Sequence, residues 1–163
     1  MPARPLGRAL AASAVLALAL SLQATAARRA HHRARPDLIE ASVTDPPASA
    51  SPGDSFTATD VVRNRGRGKA GASTTRYYLV RGQTRLAAGS RPVPALRAGR
   101  ANKGQASPSV PRQALLGTYS LVACADADNA VKESIETNNC RTAATKLVVL
   151  KAPPPPPPPR PGA

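Results

Sequence analysis

Apolar and polar residues alternate in short stretches along this chain, and beyond residue 26 apolar residues nowhere recur at a helical spacing. The clearest alternation runs through Tyr119, Leu121, Ala123 and Ala125, as on a half-buried strand. Thr75, Tyr77 and Leu79 share one face of the stretch 73–80, whose β-branched and aromatic content suits a strand. Phe56, Ala58 and Val62 keep one phase within 55–64. Asp60 breaks that phase, and the pattern accommodates it only at a sheet edge. The stretch 37–44 reads as the first strand, 84–88 as a weaker one, and 141–150 as the last. The stretch 105–110 is a poor strand, confined to an edge because Pro108 cannot donate to a ladder. Asp45-Pro46-Pro47 and Ser51-Pro52-Gly53-Asp54 signal turns, 65–71 is a glycine-rich connection, and 91–104 reads as a loop. Short strands at this spacing predict an all-β sandwich rather than an α/β fold.

The least random stretch is CADADNAVKESIETNNC, from Cys124 to Cys140. It lies between two predicted strands and holds both cysteines of the protein. A disulfide across the base of the loop is the natural pairing. Cys124 is out of phase with Tyr119, Leu121 and Ala123, so the bridge is expected on the outer face of neighbouring strands, unlike the inter-sheet bridge of antibody domains.

The same loop concentrates acid in a basic chain. Asp126, Asp128, Glu133 and Glu136 are four of nine acidic residues, against a formal net charge of +14. Hard cations such as Ca²⁺ take six to eight oxygens. Asp126, Asp128, Asn129, Glu133, Glu136 and Asn138 could supply several of them. The spacing is not that of an EF-hand, since Val131 and Thr137 stand where that loop has glycine and glutamate. The other reading gives the Asp and Asn side chains to turns and the glutamates to nearby arginines. Both readings stand at the level of sequence, and no other cofactor is implied.

The two ends of the chain differ from its middle. Residues 1–26 read as a secretory leader: Arg4 and Arg8, then an apolar run from Ala9 to Leu22, then Ala24-Thr25-Ala26 as a cleavage signal. Residues 27–35 form a basic arm without periodicity, expected to be disordered, with Arg28, Arg29, Arg33 and Arg35. His31 and His32 are adjacent there and lack a third ligand for a metal. The chain closes with a proline-rich tail, 152–163, whose seven consecutive prolines imply an extended rod. The sandwich itself is expected over 36–151.

Charge and composition narrow the function. The excess of arginine suits anionic partners, although a GC-rich genome gives the same bias. Arg63, Arg65, Arg67 and Lys69 lie on or beside one connection, and Arg97, Arg100 and Lys103 fall in another. If the arm and one of these loops share an end of the sandwich, they form a positive patch. Both histidines lie in the arm, so no Ser-His-Asp or Cys-His set is available to the folded part. With no Trp, one Phe and three Tyr, little is present to stack a sugar ring or a single-stranded base.

Several motifs carry a family resemblance. Pro36-Asp37-Leu38, Val62-Arg63-Asn64-x-Gly66, Arg76-Tyr77-Tyr78-Leu79, Gly117-Thr118-Tyr119 and DADNAVKESIETNNC resemble the CARDB domain, the cell-adhesion-related domain of bacteria, over about residues 36–149. The resemblance implies a seven-stranded immunoglobulin-like sandwich on a secreted or surface protein, adhesive and without catalytic residues. Arg65, Arg67 and Lys69 make the connection after Asn64 more basic than that family suggests. The expectation is a secreted or cell-surface module (a periplasmic one is the variant), non-enzymatic, for adhesion or assembly, whose partner is a surface protein. The alternative is an electrostatic binder of an envelope polymer or extracellular DNA. Neither reading needs a small-molecule substrate, or a membrane segment once the leader is removed.

Overall fold

A computed structural model describes residues 34–152 of the chain. The leader, Arg28, Arg29 and Arg33 of the arm, and the proline run lie outside the described residues. Eight strands form, with no helix among them: β1 (Leu38–Val43), β2 (Ser49–Ala50), β3 (Ala58–Asn64), β4 (Ser73–Arg81), β5 (Thr84–Val93), β6 (Ala101–Ala106), β7 (Gly117–Cys124) and β8 (Cys140–Val149). They make two sheets, β1-β3-β6 and β2-β8-β7-β4-β5. The immunoglobulin-like sandwich is as expected. The eighth strand is β2, two residues running parallel to β8 after the Pro46-Pro47 break.

Three differences from the strand pattern have physical reasons. Asp60 is not at an edge. It sits in β3, the central strand of its sheet, and is fully buried. Strand β5 runs on to Val93, because it is an outer strand whose Pro92 pairs only with Thr74 of β4 and owes no second ladder bond. Strand β6 falls on 101–106, not 105–110, so Lys103 lies on a strand rather than a loop. Its inward positions are Asn102, Gly104 and Ala106, which give no apolar alternation to read.

A buried polar clasp between the sheets explains all three. Arg91 of β5 donates to both carboxylate oxygens of Asp60, at 2.6 and 2.5 Å, and to Asn102 Oδ1 at 2.9 Å. The Tyr77 hydroxyl also donates to Asp60. Thr75 donates to Glu40 of β1 at 2.9 Å. Gly104 stands opposite Asp60 in the β3–β6 register, and a Cβ there would come within 2.4 Å of the Arg91 guanidinium. The glycine therefore makes the space the arginine fills. The clasp separates two apolar clusters. One contains Ala58, Tyr77, Leu79, Tyr119, Leu121, Leu147 and Val149; the other contains Leu38, Val62, Ala70, Val93, Leu96, Ala125 and Val131. Along β3 the order Ala58, Asp60, Val62 passes from the first cluster through the clasp to the second.

Candidate functional site

Strands β1, β4, β6 and β8 begin, and β3, β5 and β7 end, at one end of the sandwich. The segment before β1 and three connections, 65–72, 94–100 and 125–139, therefore meet there. Asn64, the last residue of β3, organises them. Its side chain is fully buried. Oδ1 accepts hydrogen bonds from Asp37 N at 3.1 Å and Gly66 N at 3.0 Å. Nδ2 donates to Gly68 O at 2.8 Å and Leu96 O at 3.0 Å. One amide thus ties the N-terminal segment to both basic loops, using its acceptor and both donors.

Backbone bonds complete the junction. Arg67 N and Gly68 N both donate to Arg35 O, at 3.1 and 3.0 Å. Asn64 N donates to Arg100 O, and Gly99 N to Asn64 O, both at 2.9 Å. Ala70 and Leu96 exchange a pair of bonds at 2.8 and 3.2 Å. Gly66 is required by close approach: a Cβ would sit 2.5 Å from Arg35 O and from the Pro36 carbonyl carbon. This is the structural meaning of the Asn64-x-Gly66 motif.

The geometry leaves the cations outside. Arg35, Arg63, Arg65, Arg67, Lys69, Arg97 and Arg100 are all exposed. The structure therefore brings Arg35 together with both basic loops, where the sequence suggested one. Lys103 and Arg63 are exposed on the sheet beside them.

The acidic loop shares this end, with Asp126 and Glu133 buried and Asp128, Asn129 and Glu136 exposed. Asp126 is buried, with φ 44°, and accepts from Ala130 N at 3.1 Å and Val131 N at 2.9 Å. Asn129 takes a left-handed turn with φ 51°. Asp128 pairs with Arg76 at 2.5 Å on the surface, where such a pair contributes little. Glu133 is buried, accepts from Leu38 N and from Asn139 Nδ2, and burial raises its pKa to about 7. Glu136 accepts from Glu133 N at 2.8 Å. Asn138 donates to Asp37 Oδ1 at 2.9 Å, and Ser134 N to Pro36 O at 2.9 Å. The loop clamps residues 36–38 from one side while Asn64 holds Asp37 from the other. Among the described residues no group of three or more His, Cys, Asp or Glu side chains is arranged to hold a metal ion.

Cys124 and Cys140 are bridged and directly opposite in the β7–β8 register, at the mouth of this loop. The bridge lies on the outer face, as its phase requires. It is nonetheless covered on the Cys124 side. Arg85 stacks 3.6 Å from the centre of the Tyr78 ring and donates to Cys124 Sγ at 3.1 Å. Sequence reasoning missed Arg85, and it missed Arg91 and Asn64 as organisers. In the sequence, Gly66 is legible only as part of a glycine-rich connection and a family motif.

The CARDB family profile matches residues 35–143. A CARDB domain of the PF1109 protein from Pyrococcus furiosus, solved in complex with di-metal ions, superposes with TM-score 0.51 and 21% identity, covering 72% of this chain and 96% of that one. A domain from Methanosarcina acetivorans, named as belonging to a cell surface protein, gives TM-score 0.50 and 23% identity over 72% of this chain and 95% of that one. No curated protein matches the chain. No helix among the described residues is long and apolar enough to cross a membrane.

Proposed function

The chain belongs to the CARDB family, a family of surface-associated modules, and we propose that it is an exported, non-enzymatic binding module acting in adhesion or assembly at a bacterial surface. The observation that carries this reading is the basic end. Three segments far apart in sequence are bonded together there, and each presents exposed cations outward. Such a surface needs no pocket to act. It attracts phosphate or carboxylate polymers by summed charge and the release of their counterions. This favours an anionic envelope polymer or extracellular DNA over an uncharged protein face as the partner. The leader at 1–26 and the Cys124–Cys140 bridge support export, since disulfides persist outside the reducing cytosol.

The metal of the Pyrococcus furiosus domain does not enter the proposal. Asn138 Oδ1 and Asn139 Oδ1 are buried without partners, yet the carboxylates near them are engaged with backbone N–H groups. We take the loop as a self-bonded turn, the reading these bonds support. A pull-down from the native cell surface at two salt concentrations tests the function. Partners that are polyanions and leave at the higher salt support it. Salt-tolerant capture of one protein would move the binding surface away from the basic end.

A further inference from the structure

We propose that the opposite end of the sandwich contacts an anionic lipid bilayer, with Leu115, Leu116 and Leu150 as the inserting side chains. Leu115 is 72% exposed, Leu116 53% and Leu150 51%. Gly117 pairs with Val149, so Leu116 and Leu150 occupy the next positions outward on neighbouring strands. The three leucines thus cluster at the end where β7 begins, a strand's length from the basic loops.

Their backbone is held in place. Ala114 N donates to Pro111 O at 2.8 Å and Leu150 N to Ala50 O at 3.0 Å. The Tyr119 hydroxyl donates to Leu115 O at 2.9 Å, and Arg81 Nη1 to Leu116 O at 2.7 Å. The carbonyls of Leu115 and Leu116, which would leave water with their side chains, therefore already have partners. That condition matters at a lipid contact, where an unpaired carbonyl is costly.

Charge selects the occupant. Arg81 touches the segment, Arg112 precedes Leu115 by three residues, and Lys151 follows Leu150; all three are exposed. Asp45 and Asp54 are also exposed at this end, with carboxylates that accept from Thr145 N and Ser51 N, so the cations lead by three to two. Leucines flanked by three cations match an acyl boundary beneath anionic headgroups. A second copy would bring two cationic rims together, which disfavours a dimer through the same face.

The test uses the chain from Arg35 onward, which contains every strand and both core clusters, so that the apolar run at 9–22 does not contribute. It is sedimented with phosphatidylglycerol–phosphatidylcholine vesicles and with phosphatidylcholine alone. The expected result is binding to the anionic vesicles, weakened about tenfold or more by Leu115→Ser with Leu116→Ser, and retained in Arg65→Glu with Arg67→Glu. A Leu115→Trp variant gives the only tryptophan of the chain. Its emission should shift to the blue on anionic vesicles and be quenched by brominated acyl chains. Unchanged emission on bound vesicles, or serine variants that bind as tightly as the parent, would mean headgroup adsorption alone and overturn the proposal. So would a dimer abolished by the serine variants in the absence of vesicle binding.

Discussion

Asp60 and Arg91 belong to different sheets, and the guanidinium of the arginine meets both carboxylate oxygens of the aspartate in the middle of the core. Tyr77 and Asn102 complete the hydrogen bonding around them. A buried ion pair is no bargain against apolar packing, but breaking one partner strands a charge. Asp60→Asn or Arg91→Met should each cost about 3–5 kcal/mol in denaturant unfolding. The two changes together, Asp60→Asn with Arg91→Met, should cost clearly less than the two single changes added. Additive costs would show that the two side chains act independently.

The same clasp makes stability depend on pH. Burial, and next the charge of Asp60, raise the pKa of Glu40 from 4.5 to about 8, while the Thr75 hydroxyl bond opposes the shift. Burial likewise raises Glu133 to about 7, opposed by the bonds from Leu38 N and Asn139. The folded chain therefore holds both protons more tightly than the unfolded chain. The stability they contribute is complete below the unfolded value of 4.5 and is lost as pH rises through 7 and 8. The melting temperature should fall between pH 6 and 9, and Glu40→Gln should flatten the upper part of that fall. A melting temperature that climbs across this range contradicts the assignment.

Much of this architecture was legible in the alternation. Strand β4 is legible nearly to the residue and β7 in its inward phase, because Tyr77, Leu79, Tyr119 and Leu121 pack inward on period two. The acidic loop was legible as a cysteine-closed turn. Other features were hidden because they rest on polar residues doing a core residue's work. Asp60 kept the inward phase while carrying the wrong chemistry for it. Its partner Arg91 looked like loop charge, and β6 offered Gly104 where an apolar residue was sought. The convergence of the loops at Asn64 was also out of reach, since a side chain bonded to four backbone groups looks in sequence like any other asparagine.

Removing the disulfide should cost stability without changing the fold. Cys124 and Cys140 are 16 residues apart, and closing a loop of that length adds about 3 kcal/mol in the chain-entropy picture. Cys124→Ser with Cys140→Ser should lower the denaturation midpoint accordingly. An unchanged midpoint would contradict that contribution from the bridge.

Gly66 should tolerate no side chain. A Cβ there meets backbone on the facing segment, which cannot rotate away as a side-chain tip could. Gly66→Ala should cost about 1–3 kcal/mol. It should also speed hydrogen exchange at Arg67 N and Gly68 N, which bond to Arg35 O. Protection equal to the parent at both amides would remove Gly66 from the junction.

The central claim is that the basic end binds polyanions, and it is tested by titrating the chain from residue 27 onward with duplex DNA and with polyphosphate over a series of salt concentrations. The account predicts affinity that falls as a power of salt concentration. Arg65→Glu with Arg67→Glu and Lys69→Glu should reduce both affinity and slope, and deletion of 27–35 should flatten the slope further. Absence of binding to either polymer at low salt, or affinity indifferent to those charge reversals, would contradict it.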